Sequence, residues 1–175
     1  FDRTAAGRLP FLSAMALMQA KDGETGSYPD IVDVLTRHSG QAREDARQLY
    51  RRVVFNVMVS NVDDHLRNHG FLWNPRDGWR LSPAYDLNPV PADIKAAILT
   101  TNITLEEGTC SVDLLEETAE FFGLGLAAAR AIIKEVATAT SDWREVAAGA
   151  GAHRQEIERM ASAFEHAEHD KALGL

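Results

Sequence analysis

The 175-residue sequence has a single cysteine, Cys110. One thiol excludes an intramolecular disulfide framework and fits a reducing compartment such as the cytoplasm. No apolar run approaches the length of a bilayer span, and no basic-then-apolar leader opens the chain, so no membrane contact is expected. Basic charge is not in surplus either. The net charge is −8, and residues 1–90 carry 11 acidic and 11 basic side chains, which leaves all of the excess acid after residue 90. Duplex binding rests on a basic surface, so direct nucleic-acid binding by this chain is not expected. No G-x-G-x-x-G or G-x4-G-K-[ST] loop occurs: Gly123-Leu124-Gly125 has the wrong context, and Lys21 is the only lysine before residue 63. A phosphate clamp is therefore not expected within these residues. The chain also opens on Phe1 rather than Met, which suggests a piece of a longer protein.

What remains is ordinary for a globular protein, with 45% apolar and 25% charged residues, enough for one well-buried domain over 1–175. The apolar run from Phe11 to Lys21 predicts a short helix stopped near Gly23. Ser27 with Pro29 predicts a helix start, and Gly40 follows its end near His38. Residues 41–60 predict a central buried helix, because Leu49, Val53, Phe55, Val57 and Val59 leave little polar face. Phe71-Leu72-Trp73 and Trp79-Arg80-Leu81, separated by Asn74-Pro75-Arg76-Asp77-Gly78, predict a hairpin. Beyond Pro91 the pattern is helical: 111–122 capped by Ser111 and ended by Gly123, then 126–146, then 153–172. The fold class expected is mainly α with one small β-hairpin. Trp73, Trp79, Trp143, Met15, Met18 and Met58 are expected in the core, and His153, His166 and His169 on a solvated helix face.

Chemistry concentrates in Ser60-Asn61-Val62-Asp63-Asp64-His65-Leu66-Arg67-Asn68-His69-Gly70 and in Pro83-Ala84-Tyr85-Asp86-Leu87. An Asp, an Asn five positions on, and a second Asp after a hairpin suit phosphoryl transfer. One carboxylate orients the attacking hydroxyl, while an amide oxygen and another carboxylate hold the Mg²⁺ that neutralises the phosphates. The spacing selects Asp63 as the catalytic acid and leaves Asp64 as a solvated neighbour. Asn68 and Asp86 are the candidate metal ligands. His65 is a candidate phosphate contact or loop brace, and Arg67 is a candidate contact or a merely solvated side chain. A zinc reading of His65 and His69 fails on pattern, since Leu66 rather than Glu follows the first histidine.

These segments resemble the HipA-like serine/threonine kinases of bacterial type II toxin–antitoxin modules. The family carries a D-x-H-x-[KR]-N loop and a P-x-Y-D-[LI] segment, which stand here as Asp63 to Asn68 and Pro83 to Leu87. Phe1-Asp2-Arg3 and Gly7-Arg8-Leu9-Pro10 resemble the exit from the hinge between the two kinase lobes. The resemblance implies a protein-kinase-like C-terminal lobe, ATP and Mg²⁺ as cofactors, a protein substrate and an antitoxin protein as partner. It implies nucleotide contacts at Phe1, His65, Arg67, Asn68, Tyr85 and Asp86. It also implies an N-terminal, nucleotide-clamping lobe ahead of Phe1, without which residues 1–175 would be inactive. Leu87-Asn88 departs from the Phe-Gly that follows this Asp in eukaryotic kinases. Two other classes share the arithmetic: a small-molecule or lipid kinase of related fold, and a non-catalytic kinase-like domain that binds a partner.

Overall fold

A computed structural model of the chain describes residues 2–5, 7–21 and 23–175. Two short strands, β1 (Arg3–Thr4) and β2 (Gly7–Arg8), pair antiparallel at the start of the chain. A second, three-stranded antiparallel sheet joins β3 (Phe11–Ser13), β4 (Gly70–Asn74) and β5 (Gly78–Leu81) in the order β3-β4-β5. The hairpin β4–β5 agrees with the sequence pattern. The helix expected from Phe11 does not form there. Phe11, Leu12 and Ser13 pair instead with Leu72, Phe71 and Gly70, and only Ala14–Leu17 (α1) is helical, with Ser13 capping it through Ala16 N–H. A short apolar run has no periodicity that separates strand from helix, and tertiary pairing decides. Gly70 is required by close approach: a Cβ there would lie 2.4 Å from the Phe11 ring and 2.8 Å from Ser82 Oγ.

Helix α2 (Tyr28–His38) starts with a reciprocal capping box, in which Ser27 Oγ accepts from Asp30 N–H and the Asp30 carboxylate accepts from Ser27 N–H. Helix α3 (Ala42–Met58) is the central element, with Leu49, Tyr50, Val53, Val54, Val57 and Met58 fully buried. Its first half keeps a charged face, where Asp45 is buried against Arg80 of β5 at 2.8 Å. After the stretch 82–111 come α4 (Val112–Thr118), capped by Ser111, and a 3-10 turn, Ala119–Phe122, ended by Gly123 in the left-handed region (φ 69°).

The two long helices expected near the C-terminus are each broken. The first is α5 (Leu126–Ser141) and α6 (Trp143–Gly149); the second is α7 (Arg154–Phe164) and α8 (Ala167–Leu173). The second break depends on His166, whose side chain caps α8 and whose Nε2 lies 3.1 Å from the Met58 carbonyl oxygen. His169 is buried beside Thr140 Oγ1 at 3.0 Å. These two histidines therefore tie α8 to α3 and α5 and are not solvated, whereas His153 is exposed. Burial holds the His169 imidazole below its ordinary range, helped by the neighbouring His166 charge. Trp143 is buried and stacks on Phe164 at 4.4 Å, and Met58 is in the core. Trp73 is not: it lies exposed on the hairpin, edge-on to Trp79. Among the described residues, no helix is long and apolar enough to cross a membrane.

Candidate active site

The site begins where α3 stops. Ser60 adopts a left-handed conformation (φ 52°), which turns the chain out of the helix and into the loop 61–69. Asn56 and Asn61 then build the loop's foundation from inside the core. Asn61 N–H donates to the Asn56 carbonyl at 2.8 Å, and the Asn61 amide nitrogen donates to Asn56 Oδ1 at 3.0 Å. The Asn56 amide nitrogen in turn donates to the Tyr28 hydroxyl at 2.8 Å. The Tyr28 hydroxyl donates to Asp64 Oδ2 at 2.5 Å. Every member of this chain is fully or almost fully buried. Buried polar groups are retained at such cost only when they partner one another, and here they fix the loop to α2 and α3.

Asp64 is thus not the solvated neighbour that the spacing suggested. It is 1% exposed, and His69 Nε2 lies 3.0 Å from its Oδ1, although neither His69 ring nitrogen has a well-aligned hydrogen bond among the described residues. Burial, and then the Asp64 charge, push the Tyr28 phenol well above its ordinary range, so it stays a hydrogen-bond donor. Asp63 faces the other way. Its carboxylate is exposed and pairs with Lys95 at 3.1 Å. Two adjacent acids therefore divide into one that holds the loop and one presented to solvent.

Asn68 is buried, and its amide nitrogen is 3.4 Å from the Asp63 carbonyl, which turns its amide oxygen the opposite way. The segment that carries Asp86 is laced to this loop on both sides of the acid. The Tyr85 hydroxyl donates to the Arg67 carbonyl at 2.5 Å, Asn88 N–H to Asn61 Oδ1 at 3.2 Å, and Val90 N–H to the Ser60 carbonyl at 3.1 Å. Upstream, Arg52 donates to the Ser82 carbonyl. Burial draws the Arg52 guanidinium below its ordinary range, opposed by the tyrosines 28 and 85 and the carboxylates of Asp45 and Asp64. Asp86 itself holds a left-handed backbone (φ 56°), a conformation Asp tolerates better than most residues, and its exposed carboxylate accepts one bond, from the Asn88 amide at 2.7 Å.

The structure thus joins the segment that bears Tyr85 and Asp86 to the loop that bears Asp63 and Asn68. Tyr85 reaches it as a brace, half-buried, with its hydroxyl spent on the loop and its ring edge-on to Phe11. His65 and Arg67 line a cleft of about 250 Å³ together with Lys21, Thr25 and Thr101, and neither Asn68 nor Asp86 lines it. Phe1 lies outside the described residues. Asn68 and Asp86 offer hard oxygen donors, an amide and a carboxylate, which suit Mg²⁺ completed by phosphate oxygens and water. Among the described residues, no group of three His, Cys, Asp or Glu side chains forms a metal cage. Sequence reasoning missed Tyr28, Asn56, Asn61, Asn88 and Lys95. The available signal was Asn56: an amide within Phe55-Asn56-Val57, in an otherwise apolar run, needs a buried partner.

Residues 1–144 match the family described as HipA-like C-terminal domain, and the chain belongs to that family. Among curated relatives, a Haemophilus influenzae protein named "Putative kinase" is 27% identical over 90 residues, covering 49% of this chain and 26% of its own length. A Sinorhizobium fredii protein named "Putative kinase Y4dM" is 33% identical over 90 residues, covering 50% of this chain and 22% of its own. The chain thus spans about a quarter of the length of these relatives. A solved structure of the Shewanella oneidensis toxin–antitoxin system HipA, HipB and operator DNA contains a chain with the same fold. The match has a TM-score of 0.68 at 16% identity and covers 99% of this chain and 46% of that one.

Proposed function

We propose that residues 1–175 form the catalytic lobe of a HipA-like protein serine/threonine kinase, a toxin of a type II toxin–antitoxin module. The observation that supports this reading is the lacing of the Tyr85-Asp86 segment onto the Asp63–Asn68 loop, which joins the two segments that bear the candidate acids and the candidate amide ligand. Mg²⁺ would be held by the Asn68 amide oxygen and the Asp86 carboxylate, and bound there it would neutralise charge on the β- and γ-phosphates of ATP. Asp63 accepts a hydrogen bond from the acceptor hydroxyl of a protein serine or threonine and aims its oxygen at the γ-phosphorus. As the new O–P bond forms and the bond to the β-phosphate oxygen breaks, the hydroxyl proton passes to the Asp63 carboxylate. Lys95 pairs with the exposed Asp63 carboxylate at 3.1 Å, the position that the acceptor hydroxyl would take.

The phosphate clamp that the site needs is supplied from outside residues 1–175, which contain no glycine-rich phosphate loop. The HipB partner of the Shewanella HipA complex suggests an antitoxin protein as this chain's partner. The test uses the full-length protein. Asp86→Asn should lose Mg²⁺-dependent ATP binding together with turnover, because it removes the charged ligand of the ion. Retained Mg²⁺-dependent binding would remove Asp86 from the site. Residues 1–175 alone should show no kinase turnover.

A further inference from the structure

The Lys95 ammonium donates to Asp63 Oδ1 at 3.1 Å across 32 residues of chain, and the backbone builds that position. Residues 92–98 form an exposed arch between buried Pro91 and buried Leu99, and Lys95 is its central residue. Hydrogen bonds fasten both feet. At the first, Val90 N–H donates to the Ser60 carbonyl and Ala92 N–H to Ser162 Oγ of α7, each at 3.1 Å, while Asp93 pairs with Arg159 of α7 at 2.8 Å. At the second, Leu99 N–H donates to the Gly108 carbonyl and Thr101 N–H to the Asp64 carbonyl, each at 2.8 Å. Thr100 Oγ1 adds a bond to the Val62 carbonyl at 3.0 Å. The arch is therefore tied to the same loop that bears Asp63. The Lys95 and Asp63 side chains are 53% and 62% exposed, and an ion pair so open to water adds little to stability. The same exposure leaves both groups accessible to a substrate.

Phosphoryl transfer at Asp63 forces two anions together across one hydroxyl. That hydroxyl stands about 2.7 Å from the carboxylate and about 3–3.5 Å from the phosphorus in a reactive pose. The carboxylate and the phosphoryl oxygens then repel each other at close range, and a cation beside both offsets the repulsion. Lys95 already stands at the carboxylate, and its flexible four-carbon stem lets the ammonium swing by about one hydrogen-bond length without backbone movement. We propose that Lys95 is a further catalytic residue, which covers Asp63 in the free chain and moves onto the γ-phosphoryl oxygens when the acceptor hydroxyl takes its place. The proposal rests on the reading of Asp63 as the acceptor-side acid. In the step, the hydroxyl oxygen bonds to phosphorus, the bond to the β-phosphate oxygen breaks with its electron pair leaving on ADP, and the hydroxyl proton goes to Asp63. Lys95 keeps its own proton and holds the phosphoryl oxygens through the transition state.

The experiment uses the full-length protein, radiolabelled ATP and dephosphorylated casein as the acceptor. Lys95→Met should lower kcat at least about tenfold, a smaller loss than the hundredfold or more of a donor in a closed site, because this one is open to water. ATP affinity and melting temperature should stay near those of the unaltered protein. Lys95→Arg, which keeps the charge, should recover most of the loss, and Lys95→Gln, polar but neutral, should not. Unchanged kcat in Lys95→Met and Lys95→Gln, with Asp63→Asn inactive, overturns the proposal and leaves the kinase reading standing. A lower KM for casein at unchanged kcat also overturns it, because Lys95 would then only block the acceptor. An equal loss in Lys95→Arg together with a lowered melting temperature marks a structural role and overturns it as well. No transfer by the unaltered protein, to casein or to itself, sinks the kinase reading and this proposal with it.

Discussion

The Tyr85 hydroxyl donates to the Arg67 carbonyl at 2.5 Å, across 18 residues of chain. This bond joins the loop bearing Asp63 and Asn68 to the segment bearing Asp86, so the placement of one segment against the other depends on the Tyr85 side chain. Burial holds the Tyr85 phenol above its ordinary range, against the lowering influence of Arg52, and keeps it protonated as the donor. Tyr85→Phe should cost about 1 kcal/mol of stability, the net worth of one hydrogen bond. Turnover of the full-length protein should fall more than that loss implies, because misplacing the reacting groups by an ångström is expensive. Denaturant unfolding and steady-state kinetics on the same variant check both numbers.

Asp64 and Tyr28 form the deeper brace. Tyr28→Phe leaves a buried carboxylate with a poorer set of partners, at an expected cost of about 1–3 kcal/mol. Asp64→Asn should destabilise by a similar amount. Thermal unfolding of the two single variants and the double variant tests the coupling: the double should cost less than the sum of the singles. Strict additivity would mean that the two side chains do not act together.

Acid should loosen the C-terminal helices first. The His169 imidazole, buried beside Thr140 and facing His166, Glu165 and Asp170, has a folded pKa below its ordinary 6.5. Above 6.5 it is neutral in both states and its stabilising contribution is complete. As the pH falls from 6.5 through the lower folded value, the unfolded chain takes the proton first and that contribution is lost. Stability followed by denaturant titration between pH 7 and 5 should therefore decline, and His169→Gln should flatten the decline.

Alkali acts on the core by the opposite sign. Burial pushes the Cys110 thiol from 9.0 up to about 12, with the Asp64 and Glu168 charges adding to the effect. Stability from this group is complete below pH 9 and is lost as the pH rises from 9 toward 12, because the unfolded thiol ionises first. In Cys110→Ala the fall in unfolding free energy between pH 9 and 10.5 should be shallower. The unaltered protein should react slowly with thiol reagents at pH 8, where the buried thiol is protonated.

The elements legible in the sequence were those with local punctuation. The Ser27 capping box, the Ser111 cap, Gly123 in its left-handed turn and the β4–β5 hairpin all follow from neighbouring residues. The apolar density of α3 marked it as buried for the same reason. Phe11-Leu12-Ser13 was not legible, because its partner Gly70-Phe71-Leu72 lies almost sixty residues on and the local run suits a helix equally well. At the site, residue spacing picked Asp63, Asn68 and Asp86 but could not say which of two adjacent acids is buried. That depends on Tyr28, 36 residues upstream, and no local pattern contains it. The roles of His166 and His169 were hidden likewise, since a helix face that looks polar in sequence packs against α3 and α5.

The most direct measurement is phosphate transfer from radiolabelled ATP by the full-length protein bearing Asp63→Asn, with ATP affinity and thermal unfolding measured on the same sample. The account predicts a loss of turnover of at least about a hundredfold, as for removal of a general base, with ATP affinity and melting temperature near those of the unaltered protein, because Asp63 is exposed and its proposed role is on the acceptor hydroxyl alone. Turnover retained in a folded Asp63→Asn protein would contradict it.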